Sequence, residues 1–145
     1  MPLPVTAVMV QRVIFACVHN AGRSQMAAAL FNAIADPGRA RAISAGTDPG
    51  TRVHPVVVEA MHEIGIDLSA SHPRRLTDDL ARGAAWLVTM GCGDACPHVP
   101  GLRREDWPLA DPKDRPIAEV RAIRDEIQRR VAAFVDLHGW HEASV

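Results

Sequence analysis

Tyrosine is absent from this 145-residue chain, and other aromatic rings are scarce, with three phenylalanines and three tryptophans. A pocket that sandwiches an aromatic ligand between rings has little to draw on. Lysine is almost absent too; Lys113 is the only one, and arginine supplies the remaining basic side chains. Charge of either sign is not in excess. A formal net charge of −1 gives no electrostatic reason to expect nucleic acid or an anionic membrane as a partner. Long hydrophobic runs are missing as well. Residues 1–10 are apolar, but Gln11-Arg12 interrupt them, and neither a basic leader nor a small-residue cleavage site is present. That pattern fits neither a membrane span nor a signal peptide, so a cytoplasmic protein is expected. Three cysteines, an odd number, make a poor disulfide framework, and in a reducing compartment they read as reactive thiols.

What is present suits one globular domain. Hydrophobic residues make up 48% and charged residues 23% of the chain, ordinary values for a domain that buries a core. No repeat, low-complexity tract or interdomain linker interrupts it. The expected organisation is an N-terminal extension over 1–10, a single domain over 11–140, and a short tail over 141–145.

The apolar run Val13-Ile14-Phe15-Ala16 predicts a buried strand ending at Cys17. Met26, Leu30, Phe31 and Ile34 keep helical spacing, with Ser24 placed to cap that helix, and Asp36-Pro37-Gly38 stops it. Residues 40–45 read as a second strand. Pro55 can open a helix carrying Val57, Ala60, Met61 and Ile64, and Asp78-Asp79-Leu80 opens a short one. Residues 84–90 make the best central strand, followed by a loop rich in Gly, Cys and Pro over 91–101. Residues 104–109 suggest a last strand, and the apolar series from Ile117 to Phe134 a long amphipathic helix. Alternating strands and helices imply an α/β, three-layer architecture around a parallel sheet. Functional loops in such folds gather at the carboxyl ends of strands. Cys17 and Cys92 both directly follow strands, which places them on one rim.

The segment Cys17-Val18-His19-Asn20-Ala21-Gly22-Arg23-Ser24 carries the strongest chemical signal. Five short residues between a strand and a helix let backbone amides curl inward, and the helix adds its own unpaired amides and positive dipole end. The result is an anion cradle. A cysteine at its lip has its thiolate favoured by the same field. Arg23 can grip two oxygens of a tetrahedral anion, and Ser24 can donate to the sulfur. The bland alternative is a buried cysteine at a strand end with Arg23 and Ser24 merely opening a helix. The order of strand, cysteine, glycine, arginine and helix favours the cradle. Asp111-Pro112, taken alone, is a common turn dipeptide. Cys92-x3-Cys96-x-His98 offers three metal ligands where structural zinc takes four; a fourth would come from a distant residue such as His72, and no metal site is assigned.

Cys17–Ser24 followed by Gln25-Met26-Ala27 resembles the signature of arsenate reductases built on the low-molecular-weight tyrosine phosphatase fold. The resemblance extends through Ser44-Ala45-Gly46, Glu59-Ala60-Met61, Gly65-Ile66-Asp67-Leu68-Ser69, Thr89-Met90-Gly91-Cys92, Asp106-Trp107, Asp111-Pro112 and Arg121–Ile127. It implies a four-stranded parallel sheet flanked by helices and a general-acid role for Asp111. It also implies a relay in which Cys17 attacks arsenate, Cys92 attacks Cys17 as arsenite leaves, and Cys96 then attacks Cys92. An external reductant, thioredoxin or a low-molecular-weight thiol such as mycothiol, reduces the last disulfide. No tightly bound cofactor is implied beyond a potassium ion near the loop, with Ser44 and Asp67 at positions associated with it. The resemblance places Val18, His19, Asn20, Ala21, Gly22, Arg23 and Ser24 around the substrate, arsenate, with phosphate or sulfate as analogues. Only Gly93-Asp94-Ala95 separates Cys92 from Cys96, a shorter insert than thioredoxin-coupled relatives carry. The rival function is tyrosine phosphatase. Phosphatases place aromatic residues after the Asp-Pro pair, whereas Lys113-Asp114 follow here. His19 is expected at the loop entrance, His54, His62 and His72 at the surface or as caps, and Trp86 and Trp107 in or near the core. A monomer is expected.

Overall fold

A computed structural model describes residues 10–91 and 99–141. Cys92, Cys96 and His98 therefore lie outside the described residues, as do most of the expected extension and tail.

Four strands, β1 (Gln11–Cys17), β2 (Ala40–Gly46), β3 (Trp86–Thr89) and β4 (Arg103–Asp106), form one sheet in the order β2-β1-β3-β4. Every pairing is parallel. Four helices complete the fold: α1 (Arg23–Ile34), α2 (Pro55–His62), α3 (Asp78–Arg82) and α4 (Ile117–His138). The expected α/β architecture is thus the observed one. None of the described helices is long and apolar enough to cross a membrane.

The strand period of two sorts β1 between the layers. Val13, Phe15 and Cys17 face the larger core with α1, α2 and α4, while Ile14 and Ala16 face the smaller one with Leu76, Leu87 and the half-buried Leu80 of α3. Burial on both faces explains the unbroken apolar run in the sequence. Every Phe and Trp ring of the chain joins one cluster in the larger core. Phe15 packs on Phe31 and Trp107, and Phe134 on Phe31, Trp86, Trp107 and Trp140.

Two strands are shorter than expected. β3 keeps only Trp86–Thr89, although the amides of Ala85 and Met90 still bond to Arg12 and Ala16 carbonyls of β1. β4 ends at Asp106 because Pro108 has no amide to offer the ladder. The long helix α4 runs four residues past Phe134 and stops at Gly139, whose φ of 68° suits glycine.

An ion-pair cluster joins α2 to α4. The buried Arg124 guanidinium donates to the Ala60 carbonyl at 2.7 Å and to Glu63 at 2.9 Å, and Arg121 grips the same carboxylate at 2.6 Å. Hydrogen bonding from Arg121, against a smaller burial effect, holds the Glu63 pKa down at about 2. A carboxylate depressed below its unfolded value stabilises the fold above the unfolded pKa, and that contribution is lost as pH falls through the folded one. Urea unfolding of wild type and Glu63→Gln should therefore show wild type the more stable at neutral pH, with the gap closing between about pH 4.5 and about pH 2. A gap independent of pH would contradict the assignment.

Candidate active site

The parallel sheet brings the carboxyl ends of β1, β2 and β3 to one rim, and the loop from Cys17 to Arg23 crosses it. Outer segments take up its carbonyls: Cys17 accepts from Thr47, Val18 from Asp48, His19 from Gly50 and Ala21 from His54, at 2.8–3.2 Å. Among the described residues, no turn or loop carbonyl accepts from the amides of residues 18–22. Those amides, with the first turn of α1, remain for an anion.

Asn20 holds the curl. It adopts φ 51°, a left-handed conformation that asparagine tolerates, and it is wholly buried. Its Oδ1 accepts from the Arg74 amide at 2.9 Å and from Gln25 Nε2 at 3.2 Å. Its Nδ2 donates to Ser24 Oγ at 2.7 Å. The Ser24 hydroxyl proton is then free to turn to Cys17 Sγ, 2.9 Å away. Once Cys17 is ionised, only the donor role satisfies that contact.

Ser24 is not the cap expected from the sequence. The N-cap position falls on Gly22 with no side-chain hydrogen bond, and Ser24 already lies inside α1, buried against Cys17. The helix begins earlier because Arg23 must enter it to turn its guanidinium inward. That guanidinium is buried; Nη1 donates to the Leu109 carbonyl at 3.1 Å, and Nη2 lies 3.8 Å from an Asp111 oxygen. A Cβ at Gly91 would stand 2.6 Å from Nη1, so the residue just before Cys92 must be this small.

Asp111 makes the turn that its sequence suggests and also stands beside Arg23. Its Oδ1 accepts from the Lys113 amide at 3.0 Å, a turn, while its carboxylate stays beside Arg23. Pro112 seats this turn on the loop, since a Cβ at Gly22 would lie 2.6 Å from Pro112 Cγ. Gly46 is constrained in the same way by Val18 O at 2.6 Å and the Asn20 amide at 2.9 Å. His19 is half-buried at the loop entrance, its Nδ1 3.0 Å from the Asp48 carbonyl. His62 and His72 are exposed, but His54 is half-buried against the loop.

Ser44 and Asp67 line different cavities. Ser44 borders one of about 430 Å³ with Gln25, Asn32 and Arg74, whereas Asp67 borders another beside Glu59 and His62 and accepts the Ser69 amide at 2.8 Å. Among the described residues, no group of three or more His, Cys, Asp or Glu side chains is arranged to hold a metal.

Residues 12–142 match the model of the low molecular weight phosphotyrosine protein phosphatase family. The chain belongs to that family. Among its relatives is a Halobacterium salinarum protein provisionally named an arsenate reductase, 38% identical, the match covering 84% of this chain and 89% of that one. Arsenate reductase 2 of Staphylococcus haemolyticus is 35% identical over 83% of this chain and 92% of its own. A solved thioredoxin-dependent arsenate reductase of Corynebacterium glutamicum superposes with a TM-score of 0.76 at 40% identity, covering 88% of this chain. This chain spans only 61% of that longer one.

The Arg74 amide and the Leu109 carbonyl complete the site without any signal in the sequence, and Gln25, known there only as part of the signature, joins them. Two of them act through backbone atoms, which no side-chain pattern reveals. Replacing Asn20 with Ala removes the acceptor for the Arg74 amide and the donor to Ser24. It should destabilise the fold by about 1–3 kcal/mol in urea unfolding and slow alkylation of Cys17 by iodoacetamide at neutral pH. Unchanged alkylation would show that the chain of hydrogen bonds does not reach the sulfur.

Proposed function

We propose that this protein reduces arsenate to arsenite, with Cys17 as nucleophile in the Cys17–Arg23 cradle. The observation that carries the reading is the combination of a complete oxyanion cradle with a mouth free of aromatic rings. Cys17 is hydrogen-bonded through Ser24 to Asn20, while all six Phe and Trp rings lie in the core cluster. A tetrahedral anion is recognised; an aryl group attached to it is not. The arsenate reductase relatives support the same substrate.

In the proposed mechanism arsenate sits on the amides of residues 18–24 with Arg23 across two oxygens. The Cys17 thiolate forms a bond to arsenic, and Asp111 gives a proton to the departing oxygen, which leaves as water. Cys92, as thiolate, then attacks Cys17 Sγ. The sulfur–sulfur bond forms, the electron pair of the sulfur–arsenic bond stays on arsenic, and arsenic(V) becomes arsenic(III), released as arsenite. Cys96 attacks Cys92, which frees Cys17 and leaves a Cys92–Cys96 disulfide. Thioredoxin, the reductant of the Corynebacterium relative, supplies the two electrons that reopen it. Gly91, the residue before Cys92, adopts φ 106°, a backbone conformation that suits glycine.

A coupled assay with arsenate and thioredoxin tests the reading, run beside a small-thiol system and an aryl phosphate. Cys17→Ser should lose arsenate reduction entirely. Cys96→Ser should release one arsenite per enzyme and then stop with thioredoxin. Asp111→Asn should lower kcat by about 10²–10⁴-fold, the range for a general acid. Wild type that hydrolyses the aryl phosphate and leaves arsenate untouched would overturn the assignment in favour of a phosphatase.

A further inference from the structure

His54 occupies the N-cap position of α2, yet its side chain makes no cap hydrogen bond. Its backbone is committed instead: its amide donates to the Ala21 carbonyl at 2.9 Å, and its carbonyl accepts from Val57 and Val58. The ring edge turns to the cradle. A Cβ at Gly22 would lie 3.5 Å from His54 Cδ2, so the imidazole and the Pro112 ring meet the same α-carbon. The titratable groups facing it are Asp111, Lys113 and Asp114 from the turn before α4, and His19 from the loop. Burial, the largest influence, pushes its pKa below the usual histidine value, with Asp111 opposing. The imidazole is therefore neutral at neutral pH and takes up its proton only below the usual histidine range.

We propose that His54 sets the oxyanion affinity of the cradle, its protonation adding a positive charge beside Gly22 that strengthens binding of the anionic substrate and not of the uncharged product. The proposal rests on the arsenate-reductase reading of the loop. Arg23 alone is a discounted cation, because the Asp111 carboxylate 3.8 Å away offsets part of its charge. A second charge across Gly22 restores the positive field. Arsenate carries negative charge over the working pH range, whereas arsenous acid is neutral, so the added field holds the substrate and leaves product release alone. His54 is a positioning residue in this scheme: it acts on the field of the loop and transfers no proton to substrate.

Phosphate is the probe, its dissociation constant read from protection of Cys17 against iodoacetamide in wild type, His54→Gln and His54→Lys. Every protein meets the same phosphate ionisation at a given pH, so ratios between variants isolate position 54. Wild type and His54→Gln should bind phosphate equally at about pH 8 and differ at an acid pH below the usual histidine range, with wild type roughly three- to tenfold tighter, the effect of one partly screened charge. His54→Lys should bind more tightly than His54→Gln at both pH values. Arsenate KM should follow the same order, with kcat nearly unchanged. Equal phosphate affinity of wild type and His54→Gln at both pH values would overturn the proposal, and His54→Gln keeps it testable if the lysine variant does not fold. If the phosphate pattern appears but wild type does not reduce arsenate, the substrate reading fails while the role of His54 in oxyanion binding stands.

Discussion

A buried amide side chain, that of Asn20, decides whether the catalytic loop exists. Residue 20 must take a left-handed backbone for the chain to reverse between β1 and α1, and a polar side chain inside the core must find partners for all its atoms. Asn20 finds them in the Arg74 amide, Gln25 and Ser24. These partners come from two separate parts of the chain, the first turn of α1 and the segment that holds Arg74. The same bonds that satisfy the asparagine fix the orientation of Ser24, and Ser24 in turn faces the sulfur of Cys17. The local strain of the loop, its polar satisfaction and the preparation of its nucleophile are therefore one arrangement.

Around this loop three segments approach closer than any side chain permits. Gly46 brings the end of β2 against Val18 and Asn20, Gly91 brings the end of β3 against Arg23, and Gly22 receives the ring of Pro112. Two of these contacts join strand ends to the cradle, and the third joins the turn at Pro112. The effect is that Arg23 cannot swing freely. Its guanidinium is held between the Gly91 backbone and the Leu109 carbonyl, with Asp111 at its edge. Preorganisation of this kind lowers the cost of arranging charge when an anion arrives.

Sequence periodicity was sufficient for the layers, since buried strands read as apolar runs and α1, α2 and α4 each kept a helical face. It also located the cradle, because cysteine, glycine, arginine and helix must follow one another along the chain. It failed where a residue's role depends on distant backbone. Ser24 has the composition of a cap, and only the inward turn of Arg23 moves it inside the helix. His54 precedes a proline-led helix and reads as a surface cap; its actual neighbour, Gly22, is 32 positions away in the chain. Strand β4 ended early because a missing amide at Pro108 outweighs the propensity of its neighbours.

The distribution of aromatic rings links composition to chemistry more directly than any motif. A hydrolase acting on aryl phosphates must commit rings to its surface to hold the leaving group, and those rings are lost to the core. Here the balance falls entirely the other way. Six rings, with no tyrosine to add to them, fill one continuous cluster from Phe15 through Phe134 to Trp140. That cluster packs α1 and α4 onto the sheet and so holds Arg23 and the 109–116 turn in register. Among the described residues, the groups gathered around His54 beside the cradle are Asp111, Lys113, Asp114 and His19, which answer to charge and proton number and not to ring shape. A site so lined distinguishes its substrate by the oxyanion itself. The further choice between hydrolysis and reduction then passes to whether a second thiol, and not water, completes the reaction.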